Sequence, residues 1–414
     1  MLEHYFDRPA VLRRHRDGLF GPYLDSFVSL ARGLGYPRAT VRQKCLVLRE
    51  LGHYLTERGD GVKDLDEALI ARFLADRCNR RIIRSIGGST SRLLLGHLRE
   101  IGLIAPPKPF APLSQVERLL ERYSGFLKTE RGLSQATLDN YLPYAQRFLD
   151  ERFQGGPIRV QEISPTDISR FVVRHIHACP HKRDKLMISA LRSFFRFLLS
   201  RGEIECDLAA AVPTVAQWRY STVPKRLSRE ETARMLEACD PSTVIGRRDR
   251  ALLLLISRLG LRASEVIAFD LDDIDWRSGE IVVRGKGGVH DRLPLLHDVG
   301  DALATYLRDR PSCTCRQVFI RTRAPIRGFA HPSTVSTIVR RALERAGLHP
   351  PAKGAHLLRH SLATEMLSCG ATMSEIGQVL RHRSPQTTEI YAKVDTVGLR
   401  ALARPWPGEE VRDA

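Results

Sequence analysis

The first half of this chain repeats itself, and the repeat restricts what it can fold into. Gly35-Tyr36-Pro37-Arg38-Ala39-Thr40 aligns with Gly132-Leu133-Ser134-Gln135-Ala136-Thr137. Ile70-Ala71-Arg72-Phe73 aligns with Ile168-Ser169-Arg170-Phe171. Arg92, Leu94, Leu95, Leu98, Gly102 and Ile104 align with Arg192, Phe194, Phe195, Leu198, Gly202 and Ile204. The offset drifts from 97 to 98 to 100, as small loop insertions produce. Apolar residues such as Phe194, Phe195, Leu198 and Leu199 recur at helical spacing, so each copy reads as about four amphipathic helices.

Punctuation divides the chain further. Pro106 to Pro112 carries four prolines and reads as a stiff linker between residues 1–105 and 113–211. A second boundary, residues 212–224, contains Pro213, Trp218 and Pro224 and has no clear period. Ser228, with Glu231 three residues on, then predicts a helix start with a capping box. In the remaining part, residues 225–414, Ala251 to Ile256 is a short core run. The period then changes. Glu280 to Arg284 and Arg292 to Leu295 read as a hairpin around Gly285-Lys286-Gly287-Gly288, and helix returns from Ser333. The expected fold is mainly α with a small antiparallel sheet.

Length and charge set the class. The chain has 414 residues, enough for two or three domains, and a net charge of +18. Its 47 acidic residues show that the excess is spread over folded surface rather than held in a basic tail. Such a surface attracts polyanions, with nucleic acid the default partner. No run approaches the ~18 apolar residues that cross a bilayer. The N-terminal residues lack the pattern of a signal peptide, and the eight cysteines form no C-x-x-C pair. A cytoplasmic protein with reduced thiols is expected. His175, His177, Cys179 and His181 are metal-ligand types, but no second pair lies at finger spacing. Pro180, Lys182 and Arg183 instead suggest a loop facing solvent or phosphate.

The residues that carry chemistry lie near the C-terminus. His356 and Arg359 are three apart and share a helix face, with His360 adjoining. Gly370 should end that helix, and Thr372 or Ser374 should cap the next, which runs to Arg381 and His382. Ser384-Pro385 then predicts a last helix with Tyr391 about two turns in. Upstream, Arg262 follows a glycine break at Gly260, and Glu265 could hold its guanidinium. Helical packing alone would also explain this pattern, and Lys286 alone would be an ordinary turn lysine.

Taken together, Arg262, Lys286, His356-x-x-Arg359-His360, His382 and Tyr391 resemble the tyrosine recombinases, the phage integrase family. The resemblance covers roughly Pro224 to the C-terminus. Each half of the N-terminal repeat also resembles that family's SAM-like core-binding domain. It implies tandem SAM-like domains followed by a tyrosine-recombinase catalytic domain. The implied partners are double-stranded DNA and further copies of the chain, as a tetramer on two DNA sites, with related recombinases as further candidates.

The implied chemistry suits the residue types. Tyr391 would be the nucleophile that forms a covalent 3′-phosphotyrosyl enzyme. Arg262 and Arg359 would clamp the non-bridging oxygens, and His382 would donate a further hydrogen bond. His356 would exchange a proton with the tyrosine, and Lys286 would protonate the leaving 5′ oxygen. Glu265 and His360 would support them. The arginines supply charge that a metal pair supplies in other nucleases, and the phosphotyrosyl bond stores the energy of the cut. The resemblance therefore implies no metal, nucleotide or other cofactor. The apolar tail after Tyr391, from Val394 to Trp406, would pack onto a neighbouring subunit.

The chain departs from the family at two points. Most relatives carry one core-binding domain and this chain carries two. Arg381 stands where the family usually has glycine, so its side chain is expected to point away from the phosphate or to contact DNA. Two other functions use related parts: a catalytically silent architectural subunit, and a type IB topoisomerase.

Overall fold

The computed structural model describes residues 1–79, 86–106, 113–176, 181–214, 223–285, 289–395, 399 and 400, without the side chains of 79 and 181–183. It divides into two compact units, Met1–Pro106 with Tyr220–Ala414, and Pro107–Arg219. Among the described residues no helix is long and apolar enough to cross a membrane.

The first repeat contains α1 (Pro9–Arg16), α2 (Gly21–Gly33), α3 (Arg38–Arg58), α4 (Glu67–Asn79) and α5 (Ile86–Glu100). The second contains α6 (Gln115–Gly125), α7 (Gln135–Phe153), α8 (Pro165–Ile176) and α9 (His181–Ser200). The starts of α3 and α7, the starts of α4 and α8, and the ends of α5 and α9 fall at the three offsets read from the sequence. The first copy departs from the expected four helices by the addition of α1. His15 and the neighbouring Phe6 ring, 4.5 Å apart, are buried where α1 meets the first core. Each copy closes its own core, Phe27, Leu48, Leu51 and Phe73 in one, Phe148, Phe171, Phe194 and Phe195 in the other.

The C-terminal part is built around one buried helix. It contains α10 (Arg229–Glu237), α11 (Val244–Leu259), α12 (Ala263–Ala268), β1 (Ile274–Asp275), β2 (Glu280–Arg284) and β3 (His290–Pro294). Then follow α13 (His297–Arg308), α14 (Ser333–Arg345), α15 (Ala355–Ser368) and α16 (Met373–Val379). Residues Ala251 to Ser257 of α11 are buried on every side, the mark of a helix enclosed by others. It packs against α10, α12, α13 and α15. The strands form an antiparallel sheet in the order β1-β2-β3, with Ile281 opposite Leu293. The two-residue β1 is too short to announce itself in the sequence. Within this unit Ile326 N donates to Leu34 O at 2.9 Å, which joins the first repeat to the C-terminal part.

Caps fix where the helices begin. Ser228 Oγ accepts from Glu231 N at 3.1 Å, and Glu231 returns an acceptor to Ser228 N at 2.8 Å. Thr372 and Glu375 make the same reciprocal pair at the start of α16. Such a cap contributes about 1 kcal/mol. The helix expected after Ser384 is not formed. Two 3₁₀ turns, Pro385–Thr387 and Glu389–Val394, stand in its place, and the Ser384 side chain caps nothing. Thr387 and Thr388 are consecutive β-branched residues, which disfavour helix. Thr388 is also buried, with its hydroxyl committed to His382.

Candidate active site

Two turns and a helix converge on one place, and each carries a cationic or ring donor. The first turn follows α11. Gly260 ends that helix with φ +61°, and Leu261 tucks into the core. A side chain at Gly260 would lie 2.7 Å from Leu380 Cδ2, so only glycine allows both the backbone sign and the close approach. Arg262 then caps α12. Its backbone N donates to Glu265 Oε2 at 2.8 Å and its Nη1 donates to Glu265 Oε1 at 2.6 Å. The Glu265 side chain is only 3% exposed, so the pair is an anchored one rather than a surface ion pair.

The second element is α15. It presents His356, Arg359 and His360 over little more than one turn, with Arg359 buried and His356 exposed. The Arg359 guanidinium donates to the carbonyls of Gly260 and Leu380, tying the first turn to the one after α16. The His356 and His360 rings lie 6.3 Å apart. His360 Nδ1 is 2.9 Å from the Tyr391 hydroxyl. Tyr391 is 1% exposed and packs with Ala363, Ile376 and Leu380. In this state the tyrosine hydroxyl therefore meets His360, whereas the sequence pointed to His356.

The second turn follows α16. Arg381 adopts φ +53°, a left-handed conformation that costs a non-glycine residue roughly 1 kcal/mol. Its guanidinium turns inward onto protein acceptors rather than lying open at the surface. The side chain is 6% exposed, and Nη2 donates to Glu265 Oε2 at 2.8 Å. Glu265 thus bridges Arg262 and Arg381. Next in the chain, His382 Nδ1 lies 2.8 Å from Thr388 Oγ1.

Burial and crowding of positive charge set the protonation states. Burial, then Arg262 and Arg381, bring Arg359 down to about 10. Burial, then Arg359 and Arg262, bring His382 down to about 4, so its ring is neutral near pH 7. His360 is lowered by burial, then by His356 and Arg359. Burial raises Tyr391 to about 12 against the partial pull of Arg359. Glu265 is lifted by burial, but the Arg262 N–H and the Arg381 charge outweigh this and leave it below the ordinary carboxylate range. The cluster is thus an ionised carboxylate set among three guanidinium groups, with Asp291 at its edge, 3.9 Å from Arg381 Nε. The positive excess suits an incoming oxyanion.

Of the residues singled out in the sequence, Arg262, Glu265, Arg359, His360, His382 and Tyr391 are joined by the contacts above, and His356 stands beside them. Lys286 lies outside the described residues, as do His177 and Cys179; His175 Nε2 is 2.7 Å from Glu151. Sequence reasoning missed Thr388 and the inward placement of Arg381. A threonine before a predicted nucleophile carries no signal of its own. The positive φ at Arg381 was foreshadowed by the glycine usual at that position.

Residues 225–397, which hold the whole cluster, match the phage integrase family, and residues 120–202 match the phage integrase N-terminal SAM-like domain. The y4rA protein of Sinorhizobium fredii, which carries an integrase/recombinase name, is 42% identical over 99% of this chain and 100% of its own length. The tyrosine recombinase XerD of Mycobacterium tuberculosis is 31% identical over 71% of this chain and 97% of its own. A lambda integrase tetramer bound to a Holliday junction shares the fold with a TM-score of 0.52 at 20% identity, over 80% of this chain and 91% of that one. A full-length relative at this identity, and a family match over the very turns that carry Arg262, Arg359, His382 and Tyr391, make the chain a member of the phage integrase family, a tyrosine site-specific recombinase.

Proposed function

We propose that this chain cuts and rejoins duplex DNA through a covalent 3′-phosphotyrosyl intermediate at Tyr391, in the service of a mobile element. The observation that carries the reading is the joining of half-exposed Arg262 and His382, through the Arg381 backbone and buried Arg359, into one scaffold beside Tyr391. In the first step the Tyr391 oxygen bonds to the scissile phosphorus and the P–O bond to the 5′ oxygen breaks. The tyrosine proton passes to His356, and the departing 5′ oxygen takes a proton from Lys286. In the second step a 5′ hydroxyl of the partner strand attacks the phosphotyrosyl phosphorus, its proton passing to Lys286, and the P–O bond to Tyr391 breaks as the tyrosine oxygen takes back the proton held on His356. Each transesterification exchanges one P–O bond for another, so no external energy source enters.

Charge stabilisation falls to the arginines and His382. Negative charge accumulates on the two non-bridging oxygens as phosphorus becomes five-coordinate, and Arg262 and Arg359 are preorganised by Glu265 and by the Gly260 and Leu380 carbonyls. Such a preorganised donor is worth about 3 kcal/mol in the transition state. If Nδ1 of neutral His382 accepts the Thr388 hydroxyl proton, the ring's own proton sits on Nε2, free to donate to the phosphate. The observed contact between Tyr391 and His360 is the resting arrangement, and DNA docking would release the hydroxyl to the phosphate.

The excess basic charge and the two helical repeats would grip the duplex, in the cytoplasm, as part of a tetramer spanning two sites, the assembly seen for lambda integrase on a Holliday junction. A duplex carrying a nick beside the cleavage position tests the chemistry. A DNA adduct that survives SDS and is absent with Tyr391→Phe is the expected result. No adduct on the cognate site would overturn the reading and leave a DNA-binding architectural role.

A further inference from the structure

Arg381 is the unexpected residue of the site, and its contacts give it a task. Nη1 donates to Leu259 O at 3.2 Å and to Val379 O at 3.1 Å. Nη2 donates to Gly260 O at 3.3 Å and to Glu265 Oε2 at 2.8 Å. The Arg381 carbonyl in turn accepts from Arg262 Nη2 at 3.1 Å. One residue therefore reaches the end of α11, the carboxylate that holds Arg262, and Arg262 itself. Its next neighbour in the chain is His382.

These contacts also say what Arg381 does not do. Each Nη of Arg381 donates twice, to three carbonyls and a carboxylate in all, whereas Arg262 and Arg359 donate once from each Nη, and the Arg381 side chain is 6% exposed. The Nε–H is buried without a hydrogen-bond acceptor, and Asp291 Oδ2 lies 3.9 Å from it. A guanidinium bound in this way has no free fork to offer a phosphate. The left-handed backbone at Arg381 is a conformation that glycine would take without strain. The arginine is kept in it by side-chain bonds that glycine cannot make.

We infer that Arg381 is a positioning residue that clamps the His382 turn onto the Arg262 turn, so that the phosphate-binding groups of both turns meet the scissile phosphate as one rigid unit. The inference rests on the strand-transfer reading and deepens it. Arg359 joins the same two turns from α15, through Gly260 O and Leu380 O. Arg381 closes the other side through Leu259, Gly260 and Glu265. Without its side chain the two turns are tied only by Arg359 and by the single bond from Arg262 to the residue 381 carbonyl. Misplacing a reacting or charge-stabilising group by about 1 Å costs roughly 100-fold in rate.

The test compares the unmodified chain with Arg381→Gly and Arg381→Lys. Glycine suits the backbone, so loss of fold does not confuse the result, and thermal melting monitors it. On a nicked cognate duplex, Arg381→Gly should bind DNA within about 2-fold of the unmodified chain. It should form the covalent adduct roughly 100-fold more slowly. Arg381→Lys should fall between, because an ammonium cannot span the same four acceptors. Guanidinium chloride at millimolar concentration should restore part of the Arg381→Gly rate, and sodium chloride at equal ionic strength should not. A merely structural residue would not respond to the free ion. Adduct formation by Arg381→Gly within about 3-fold of the unmodified chain, or no rescue beyond the salt control, overturns the inference.

Crystal structures of the DNA-free Arg381→Gly and unmodified chains separate this failure from that of the wider reading. If the unmodified chain forms no adduct, strand transfer fails, and the clamp is judged on geometry alone. Displacement of the Arg262 guanidinium and the His382 ring relative to each other supports it. Both groups unmoved overturns it.

Discussion

The Tyr391 hydroxyl lies 2.9 Å from Nδ1 of His360, and His356 occupies the same face of α15 one turn earlier. Two histidines four residues apart thus lie along one face, one meeting the buried hydroxyl and one exposed. The spacing suggests a handover, with His360 holding the tyrosine at rest and His356 taking its proton on DNA.

That division predicts distinct defects for the two histidines. His356→Ala should slow adduct formation on the order of 100-fold, typical of a lost general base, and should remove an ionisation from the acid limb of the pH–rate profile. His360→Ala should cost less in rate and should lower the Tyr391 titration toward that of an exposed phenol, followed by ultraviolet difference spectra against Tyr391→Phe. Equal rate losses and unchanged acid limbs in both variants would remove the handover.

Tyr391 also predicts how stability responds to alkali. Burial, only partly offset by Arg359, raises its hydroxyl to about 12 from the ordinary 10.0. Its folded value lies above its unfolded value. The contribution is therefore fully present below pH 10 and is lost as the pH rises through the folded value, because the unfolded chain gives up the proton first. Each pH unit of separation is worth about 1.4 kcal/mol, so the full loss approaches ~3 kcal/mol. Denaturant titrations of the chain and of Tyr391→Phe at pH 8 and pH ~11.5 check this. The gap between them should narrow at the higher pH, and a gap that stays constant contradicts the burial argument.

His382 titrates in the opposite sense. Burial, then Arg359 and Arg262, hold it near 4 against an ordinary 6.5. Between those values the unfolded chain binds a proton that the folded chain refuses, so stability falls as the pH drops from about 6.5 toward 4. Thr388 enters here, because its hydroxyl lies on Nδ1 of this ring. Thr388→Val keeps the shape and removes the hydrogen bond, about 1.5 kcal/mol or roughly tenfold in single-turnover cleavage. A variant that cleaves as fast as the unmodified chain shows that the ring needs no such support.

The sequence made some of this architecture readable and hid the rest for physical reasons. The helical repeats were legible because three separate residue sets keep nearly one offset. The hairpin was legible because Glu280 to Arg284 departs sharply from helical period. The caps at Ser228 and Thr372 are local chemistry, written within four residues. By contrast, the contact between Tyr391 and His360 and the insertion of Arg381 beside Glu265 are made between residues far apart in the chain, and neither has a local signature. The broken helix after Ser384 fell between these cases. Its N-cap and proline obeyed the local rule, but the tertiary demand of His382 on Thr388 prevailed.

Gly260 offers the sharpest test of the scaffold, because its carbonyl is an acceptor for both Arg359 and Arg381. In Gly260→Ala a methyl group would lie 2.7 Å from Leu380 Cδ2 and 3.2 Å from Leu362 Cδ2, at a φ of +61°. The left-handed backbone costs roughly 1 kcal/mol and the overpacking about 1–3 kcal/mol, for a total near 2–4 kcal/mol. For a domain of this size that lowers the melting temperature by very roughly 5–15 °C. Leu380 must move to make room, and its carbonyl, which also binds Arg359, moves with it. Activity should therefore fall further than stability: at a temperature where Gly260→Ala is folded, adduct formation should be slower by on the order of 100-fold while DNA affinity holds. A variant that melts early but cleaves at the normal rate would mean that the Gly260 turn supports the fold alone and that Arg262 and Arg359 are aligned by other contacts.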